Sequence, residues 1–480
     1  MIETKENTLK PLCVDLDGTI IATDTLMESI LIAVKKNPLM LLIFPFWLIR
    51  GRYYFKTQIG KRVIPKPELY PYRPEIINYL KSEKQKGREI VLATATVKPI
   101  ADSVAAYLGI FDKVIASENS NNLRARSKRD RLVELYGEKG FGYIGDSGAD
   151  YEVWEAADYA ILVEPSKSIE NKVKKIKDEV IIFKNRINKI KLITREIRVY
   201  QWLKNILIFF PLLMAHKVTD IQSFVNVIFA FFAFSLIASS VYVLNDLLDL
   251  ESDRHHPRKK NRPFASGSLR LEWGFFMSPL LLAGGILLSI YLLPIDFFYY
   301  LLIYFILTTS YSFYLKKQPI FDVIILACLY TLRLVAGASA VQVQASPWLL
   351  GFSIFLFLSL AFIKRYQELL VMREQNKNES KGRGYIVEDM SLISNMGPAS
   401  GYMSVLVLAL YVNSKEVVSL YHRPEVLWFV VLCLLFWISR MWLLAFRGKM
   451  DDDPLVYTGK DWVSYVVGAI VGILAIGAAL

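Results

Sequence analysis

The apolar positions divide the chain near residue 199. Before that point, short runs such as Leu12-Cys13-Val14, Glu89 to Ala93 and Gly142-Tyr143-Ile144 alternate with segments where charges recur every few residues. Strand-like runs separated by helical segments predict a parallel α/β sheet over residues 1–165. Beyond residue 199 come successive apolar stretches of about 20 residues, each long enough to cross a bilayer core as a helix. Nine candidate spans fall near 200–215, 223–244, 274–293, 297–314, 320–340, 348–364, 400–413, 425–444 and 462–480. Residues 166–198 read as a basic amphipathic connector, and residues 199–480 as an all-α polytopic membrane domain. One stretch breaks the soluble pattern. Leu39 to Ile49 is apolar throughout, too short to span, interrupted by Pro45 and flanked by Lys35-Lys36 and Arg50. The bland reading is a core helix; the basic flanks favour a segment that dips into the membrane interface.

Composition changes this picture little. The hydrophobic fraction is 54% and the formal net charge is +12. Eleven Lys/Arg against four acids lie between Lys167 and Arg198, where they suit anionic headgroups. No zinc-ligand spacing or aromatic-basic interleave points to nucleic acid. Cys13, Cys328 and Cys433 are far apart and read as packed apolar residues in a reducing compartment. Met1 to Lys10 is polar, so no cleavable signal peptide is expected. Alternate loops (Arg254 to Arg270, Lys316-Lys317, Lys364 to Arg383, Arg440 to Lys460) hold eighteen Lys/Arg, against Lys217, Lys415 and Arg423 opposite. With nine spans this bias predicts a cytoplasmic N-terminal domain and an external C-terminus in the inner (cytoplasmic) membrane.

The soluble zone carries an ordered set of chemical groups. Asp15-Leu16-Asp17-Gly18-Thr19 follows a short strand. A carboxylate nucleophile with a second acid two residues on can attack phosphorus and then protonate the leaving oxygen. Thr94 ends the next strand, with Thr96 as its alternative, and Lys128 would neutralise phosphate. Asp146 and Asp150 add hard oxygen ligands suited to Mg²⁺. This set resembles the haloacid-dehalogenase phosphohydrolases. The resemblance implies a Rossmannoid sheet with a helical cap at about residues 20–88, Asp15 as nucleophile, Asp17 as acid/base, and Mg²⁺ held among Asp15, Asp17, Asp146 and Asp150. An apolar cap suggests a lipid-linked phosphate.

In the membrane zone, Asn245-Asp246-x-x-Asp249-x-x-x-Asp253 closes the second span. Acids at this spacing share one helical face, and carboxylates at the end of a membrane helix are costly unless they coordinate something. Mg²⁺ bridging a diphosphate is the economical explanation. The basic loop His255 to Pro263 suits phosphate oxygens. These segments, Arg262-Pro263-x-x-x-Gly267 and the span count resemble the UbiA superfamily of intramembrane prenyltransferases. Its second aspartate-rich motif is reduced here to Asp322, next to Tyr311-Ser312 and Lys316-Lys317. Arg198-x-x-Gln201-Trp202-x-Lys204-Asn205, Leu332-Arg333-Leu334, Gly382-Arg383-Gly384-Tyr385 and Arg447 to Pro454 look like the decaprenyl-phosphate phosphoribosyltransferase branch.

That branch implies phosphoribosyl diphosphate as donor and a polyprenyl phosphate lipid as acceptor. Asp246 and Asp249 would hold Mg²⁺ on the diphosphate. Substrate-binding roles fall to Gln201, Lys204, Asn245, Asp253, Lys259, Arg262, Tyr311, Lys316, Asp322, Arg333, Lys364 and Arg383. The expected protein is a membrane-bound bifunctional enzyme, compatible with an oligomer. It would transfer phosphoribose and then remove the 5-phosphate, leaving polyprenyl-phosphoryl ribose. The competing reading is an aromatic or quinone-pathway prenyltransferase fused to a prenyl-phosphate phosphatase.

Overall fold

A computed structural model describes residues 9–118, 123–185, 188–376, 383–414, 417, 421–450 and 453–479. Two units emerge, Met1–Arg198 with Tyr242–Ser278, and Val199–Val241 with Pro279–Leu480.

The first unit is built on six parallel strands, β1 (Leu12–Val14), β2 (Ile90–Val97), β3 (Lys113–Ser117), β4 (Gly142–Gly145), β5 (Ala160–Val163) and β6 (Val180–Phe183). Their order is β3-β2-β1-β4-β5-β6. Alternation assigns each strand's residues to two apolar layers: Leu12, Val14, Ile90 and Leu92 enter one, while Cys13, Val91, Ala93 and Tyr143 enter the other. Both faces are covered, so β1 is apolar at every position. The chain leaves β1 toward β2 on one side, and β4 flanks it on the other. Ligand sites form at such a reversal of strand order, beyond the strands' carboxyl ends.

The cap is smaller than expected. Helices α1 (Thr25–Lys36), α2 (Met40–Ile49) and α3 (Arg52–Arg62) share a separate core of Ala33, Met40, Phe44, Trp47, Phe55, Ile59 and Val63. Asp24 caps α1 by accepting from Met27 N at 3.0 Å, and Gly51 (φ 102) turns the chain between α2 and α3. Helix Pro74–Gln85, counted with the cap on sequence, instead packs Ile76 and Leu80 beside Leu12 and Ile90. The connector expected over 166–198 also changes. Helix Lys167–Val173 and β6 complete the sheet body, because the apolar run Val180 to Phe183 pairs with β5. Only helix Lys189–Glu196 keeps the connector character.

Among the described residues, eight helices are long and apolar enough to cross a membrane. They include α4 (Ile221–Leu248), which continues into the first unit at Tyr242 and is followed there by α5 (Leu250–His255). The first expected span, 200–215, is a 3-10 segment, Val199–Phe209, followed by the short helix Phe210–Met214 with Pro211 in its first turn. The seventh is longer than expected, running Met390–Val412 through Gly397 and Gly401. Close helix packing explains those glycines. A Cβ on Gly397 would lie 2.0 Å from the Trp442 ring, and one on Gly401 would lie 2.6 Å from Ile438. Small residues let membrane helices approach closely.

Candidate active sites

The phosphatase residues converge where β1 and β4 end. Asp15 Oδ1 accepts from Leu16 N at 2.9 Å and pairs with Lys128 Nζ at 3.1 Å. Lys128 is buried; it donates to Tyr143 Oη at 2.8 Å and lies 3.4 Å from Asp150 Oδ1. Asp15, Asp146 and Asp150 each offer an oxygen, all within 4.8 Å of one another. The backbone leaves room for this group. Gly18 has φ +75, and a Cβ there would fall 2.3 Å from Asp146 Oδ2; a Cβ on Gly145 would fall 2.8 Å from the Asp150 carboxyl. Three converging carboxylates without a side chain at the adjacent turn fit a hard divalent cation such as Mg²⁺.

Burial raises Asp15 to about 7, with Lys128 opposing and Asp150 and Asp17 adding to the rise. Burial, Asp150 and Asp15 raise Asp146 to about 8. Lys128 is pulled down by burial, but Asp15 and Asp150 reverse this and hold it above its usual value.

Asp17 stands apart from the three-carboxylate group. Its oxygens accept from Thr25 N at 2.8 Å and Thr96 Oγ1 at 2.6 Å. Burial and Asp24 raise it to about 6, against the threonine hydrogen bonds. The expected ligand set of four therefore divides into three clustered carboxylates and one that is hydrogen-bonded elsewhere. Thr94 is fully buried and its Oγ1 accepts from Thr96 N at 3.1 Å. Thr96, the weaker candidate on sequence, makes the direct bond to Asp17.

Two neighbours had no motif to reveal them. Lys56 of α3 donates to Ala95 O at 3.0 Å, and burial pulls its ammonium below the usual value. Arg270 reaches Asp146 Oδ2 at 3.1 Å. The Arg270 loop seats tightly, since Gly267 has φ +71 and a Cβ there would meet that of Ala22 at 2.6 Å.

The acid motif of the membrane helix is also divided. Asp246 and Asp253 are nearly fully buried. Arg262 bridges them, with Nη1 at 2.8 Å from Asp246 and 2.6 Å from Asp253, and Arg198 also pairs with Asp246. Asp249 points elsewhere, to Lys35 Nζ of α1 at 2.9 Å. The expectation that all three acids point together is not met: the helical hydrogen bonds continue through Asp249 at the α4–α5 junction, but its carboxylate pairs with Lys35 while Asp246 and Asp253 share Arg262. Arg262 occupies the space between the other two. Glu196, unremarkable on sequence, is buried near them; burial and Asp246 raise it to about 8. Asn245 lies one residue before Asp246 in α4, and Lys259 lies on the exposed loop after α5.

The second unit holds the other predicted residues. Arg333 is buried, and its Nε donates to Asn205 Oδ1 at 2.8 Å, Nη2 to Tyr304 Oη at 3.2 Å and Nη1 to Leu329 O. Its guanidinium lies 5.0 to 5.4 Å from the ring centres of Phe234, Tyr304 and Tyr330. Among the described residues no carboxylate pairs with it. Lys204 pairs with Asp453 at 2.5 Å, and Lys364 lies 3.8 Å from the same oxygen. Burial alone would raise Asp453, but the two lysines hold it down to about 2. Asp453 also caps helix Pro454–Thr458; on sequence it lay within the Arg447 to Pro454 motif, as an acid before a proline.

Asp322 is fully buried, accepts from Tyr385 Oη at 2.6 Å, and faces Arg365 at 3.1 Å and Arg383 at 3.5 Å. Arg383 Nη1 also donates to Tyr311 Oη at 3.4 Å and its Nε pairs with Glu368 at 3.2 Å. Arginine neutralisation gives Asp322 the surroundings of a structural clamp. Gln201 lies in the 3-10 segment and Lys316 in the short turn Leu315–Lys317, both half-buried. Gly382, Asp451 and Asp452 of the quoted motifs, and Lys415 of the opposite loops, lie outside the described residues.

Residues 12–153 match the haloacid dehalogenase-like hydrolases, and residues 206–458 match the UbiA prenyltransferase family. The uncharacterized protein y4nM of Sinorhizobium fredii is 37% identical over 464 residues, covering 96% of this chain and 89% of its own. Nodulation protein NoeC of Azorhizobium caulinodans is 35% identical over 269 residues, which is 56% of this chain and 87% of that protein. A decaprenyl-phosphate phosphoribosyltransferase of Mycolicibacterium smegmatis is 34% identical over 181 residues, 36% of this chain and 56% of that protein. The buried acids closing α4, the membrane-spanning helices and the family match over more than half the chain lead to one assignment: the protein belongs to the UbiA prenyltransferase family and carries a haloacid dehalogenase-like hydrolase domain at its N-terminus.

Proposed function

We propose that the membrane domain transfers 5-phosphoribose from phosphoribosyl diphosphate to a polyprenyl phosphate, and that the N-terminal domain then removes the 5-phosphate. In the first step a phosphate oxygen of the lipid forms a bond to ribose C1 as the bond from C1 to diphosphate breaks. Diphosphate leaves, and Mg²⁺ could neutralise it at Asp246 and Asp249 only if Asp246 gave up Arg262 and Arg198 and Asp249 gave up Lys35. Arg333, Lys204 and Lys364 serve the remaining phosphoryl oxygens.

The observation that carries this reading is the charge balance of the second unit. Asp322, the remnant of a second acidic motif, is occupied by Arg365 and Arg383, while Arg333 is buried among neutral partners. A buried cation without a carboxylate suits an anionic ligand, and a phosphate-rich donor needs cations more than a second metal-binding acid set. Relatives named decaprenyl-phosphate phosphoribosyltransferase support the same choice.

In the second step the Asp15 carboxylate attacks the 5-phosphorus and the ester oxygen leaves with a proton from Asp17. Asp17 then takes a proton from water, which hydrolyses the aspartyl-phosphate and releases inorganic phosphate. A carboxyl raised to about 6 can exchange its proton in both directions near neutral pH. Lys128 balances charge on Asp15 and the phosphoryl group, and Mg²⁺ among Asp15, Asp146 and Asp150 supplies further neutralisation when bound.

The N-terminal domain faces the cytoplasm in this reading. The loop after α4 belongs to the same unit, joined by the Glu28–Arg254 pair at 2.7 Å. One crossing by α4 then requires a second by 199–214. At about 2 Å per 3-10 residue and 1.5 Å per α residue, that segment is long enough to span.

Radiolabelled phosphoribosyl diphosphate and a polyprenyl phosphate test the assignment. Wild type yields dephosphorylated lipid-linked ribose, and Asp15→Asn accumulates its 5-phosphate. Prenylation of an aromatic acid without label in the lipid would overturn it.

A further inference from the structure

A cavity of about 270 Å³ opens within the first unit between α1 and the carboxyl end of α4. Its lining is mostly apolar, Leu31 and Ile32 of α1, Leu69 and Leu248 of α4 among it; Lys36 and Lys66 add positive charge, and Glu28 and Glu251, each paired with a cation, add negative charge. α1 presents this face by helical spacing, since residues three and four apart align on one side. The joint beside the cavity is firm: Arg254 makes two hydrogen bonds to Glu28, at 2.7 and 2.8 Å, with both side chains nearly buried.

We propose that this cavity is a docking slot for the phosphate head and first isoprene units of a polyprenyl-phosphate lipid. There it would hold the transferase product while its sugar phosphate is presented to the phosphatase centre. The proposal rests on the reaction sequence given above. Three features identify the lipid class. Leu248 ends a membrane helix, so the cavity lies at the level where a lipid's phosphate meets water. Apolar walls with lysines match an amphiphile bearing an acidic head; a water-soluble sugar phosphate has no use for four apolar walls. The small volume suits one prenyl chain with its phosphate better than a phospholipid with two acyl chains and a glycerol.

The lysines are differently placed for the task. Lys35 is held by Asp249 at 2.9 Å and Lys66 approaches Glu251 at 3.5 Å. Lys36 forms no hydrogen bond or ion pair among the described residues and is exposed. Lys36 therefore meets the phosphate first, with Lys66 beside it. None of these groups belongs to the phosphatase centre, where catalysis needs Asp15, Asp17 and Lys128.

Two measurements on the full chain in nanodiscs test the slot. A diazirine-bearing polyprenyl phosphate should label peptides containing residues 31–36 and 65–69. Excess polyprenyl phosphate should remove the label, and excess phosphatidylglycerol should not. In the coupled assay, Lys36→Glu with Lys66→Glu should slow conversion of the 5-phosphoribosyl lipid about tenfold, the loss expected for a charge-assisted contact. Hydrolysis of nitrophenyl phosphate should be unchanged. Equal competition by phosphatidylglycerol would reduce the cavity to a general lipid contact and overturn the proposal, as would unaltered conversion in the variant. A wild-type chain that makes no phosphoribosyl lipid would instead overturn the reaction sequence, leaving the photolabelling result to stand or fall alone.

Discussion

Single side chains decide how the two centres respond to protons and charge. Asp15 and Asp146 sit at about 7 and 8, far above an ordinary carboxyl, with burial the largest cause. Both groups bind protons more tightly folded than unfolded, so their contribution stabilises the fold at low pH and is lost as pH rises through those values. A divalent cation reverses this by requiring the ionised forms. Added Mg²⁺ should therefore raise the unfolding temperature more at pH 8 than at pH 6. Thermal unfolding of the full chain with and without Mg²⁺ measures this, and an equal gain at both values would contradict it.

Arg333 gives a second test at this scale. Its buried charge has no carboxylate partner among the described residues, so replacing it relieves a desolvation penalty. Arg333→Met should retain or raise the unfolding temperature while weakening donor use at least about tenfold. A matched loss of stability would mark it as structural. Asp322 is the opposite case. Its removal leaves Arg365 and Arg383 uncompensated, and Asp322→Ala should destabilise by about 3 kcal/mol, read as a lowered midpoint in chemical unfolding.

At the scale of elements, α2 is exceptional. Leu42, Phe46 and Ile49 are 68, 68 and 84% exposed, although Met40, Phe44 and Trp47 pack into the cap. Keeping such surface in water is unfavourable by about 25 cal/mol per Å²; the membrane interface relieves that penalty, and Lys35, Lys36 and Arg50 suit its headgroups. In anionic nanodiscs an environment-sensitive fluorophore on Phe46→Cys should emit to the blue of one on Lys61→Cys in α3. Equal spectra at the two positions would remove α2 from the membrane.

Legibility also differed by element. The strands of the sheet were readable because each apolar run has turn or helix signals on both sides. β6 was missed because its four residues lie in the most basic stretch of the chain, where charge density suggested a connector. Residues 400–413 were read too short because Gly397, Pro398 and Gly401 resemble a helix break. In the structure those small residues accommodate Trp442 and Ile438.

For the whole molecule, the proposed reaction sequence gives the fusion a purpose: it would keep the lipid product in the same leaflet as the next active site. That raises the effective concentration without any new contact. The relative y4nM aligns over 96% of this chain, so the two-domain arrangement recurs in Sinorhizobium fredii.

The sequence by itself determined the two-domain architecture, the phosphatase motif order and the membrane character. These properties are written locally, in apolar run lengths and in residues at fixed spacing. Tertiary structure decided which acids meet. Asp15 follows β1 and Asp146 and Asp150 follow β4, and they converge because β1 and β4 are neighbours. Asp249 is drawn to Lys35 of α1, whereas Asp246 and Asp253 share Arg262. Arg262, Arg365 and Arg383 then settle which carboxylates are already neutralised. Such pairing depends on contacts between distant segments, which no local spacing can encode.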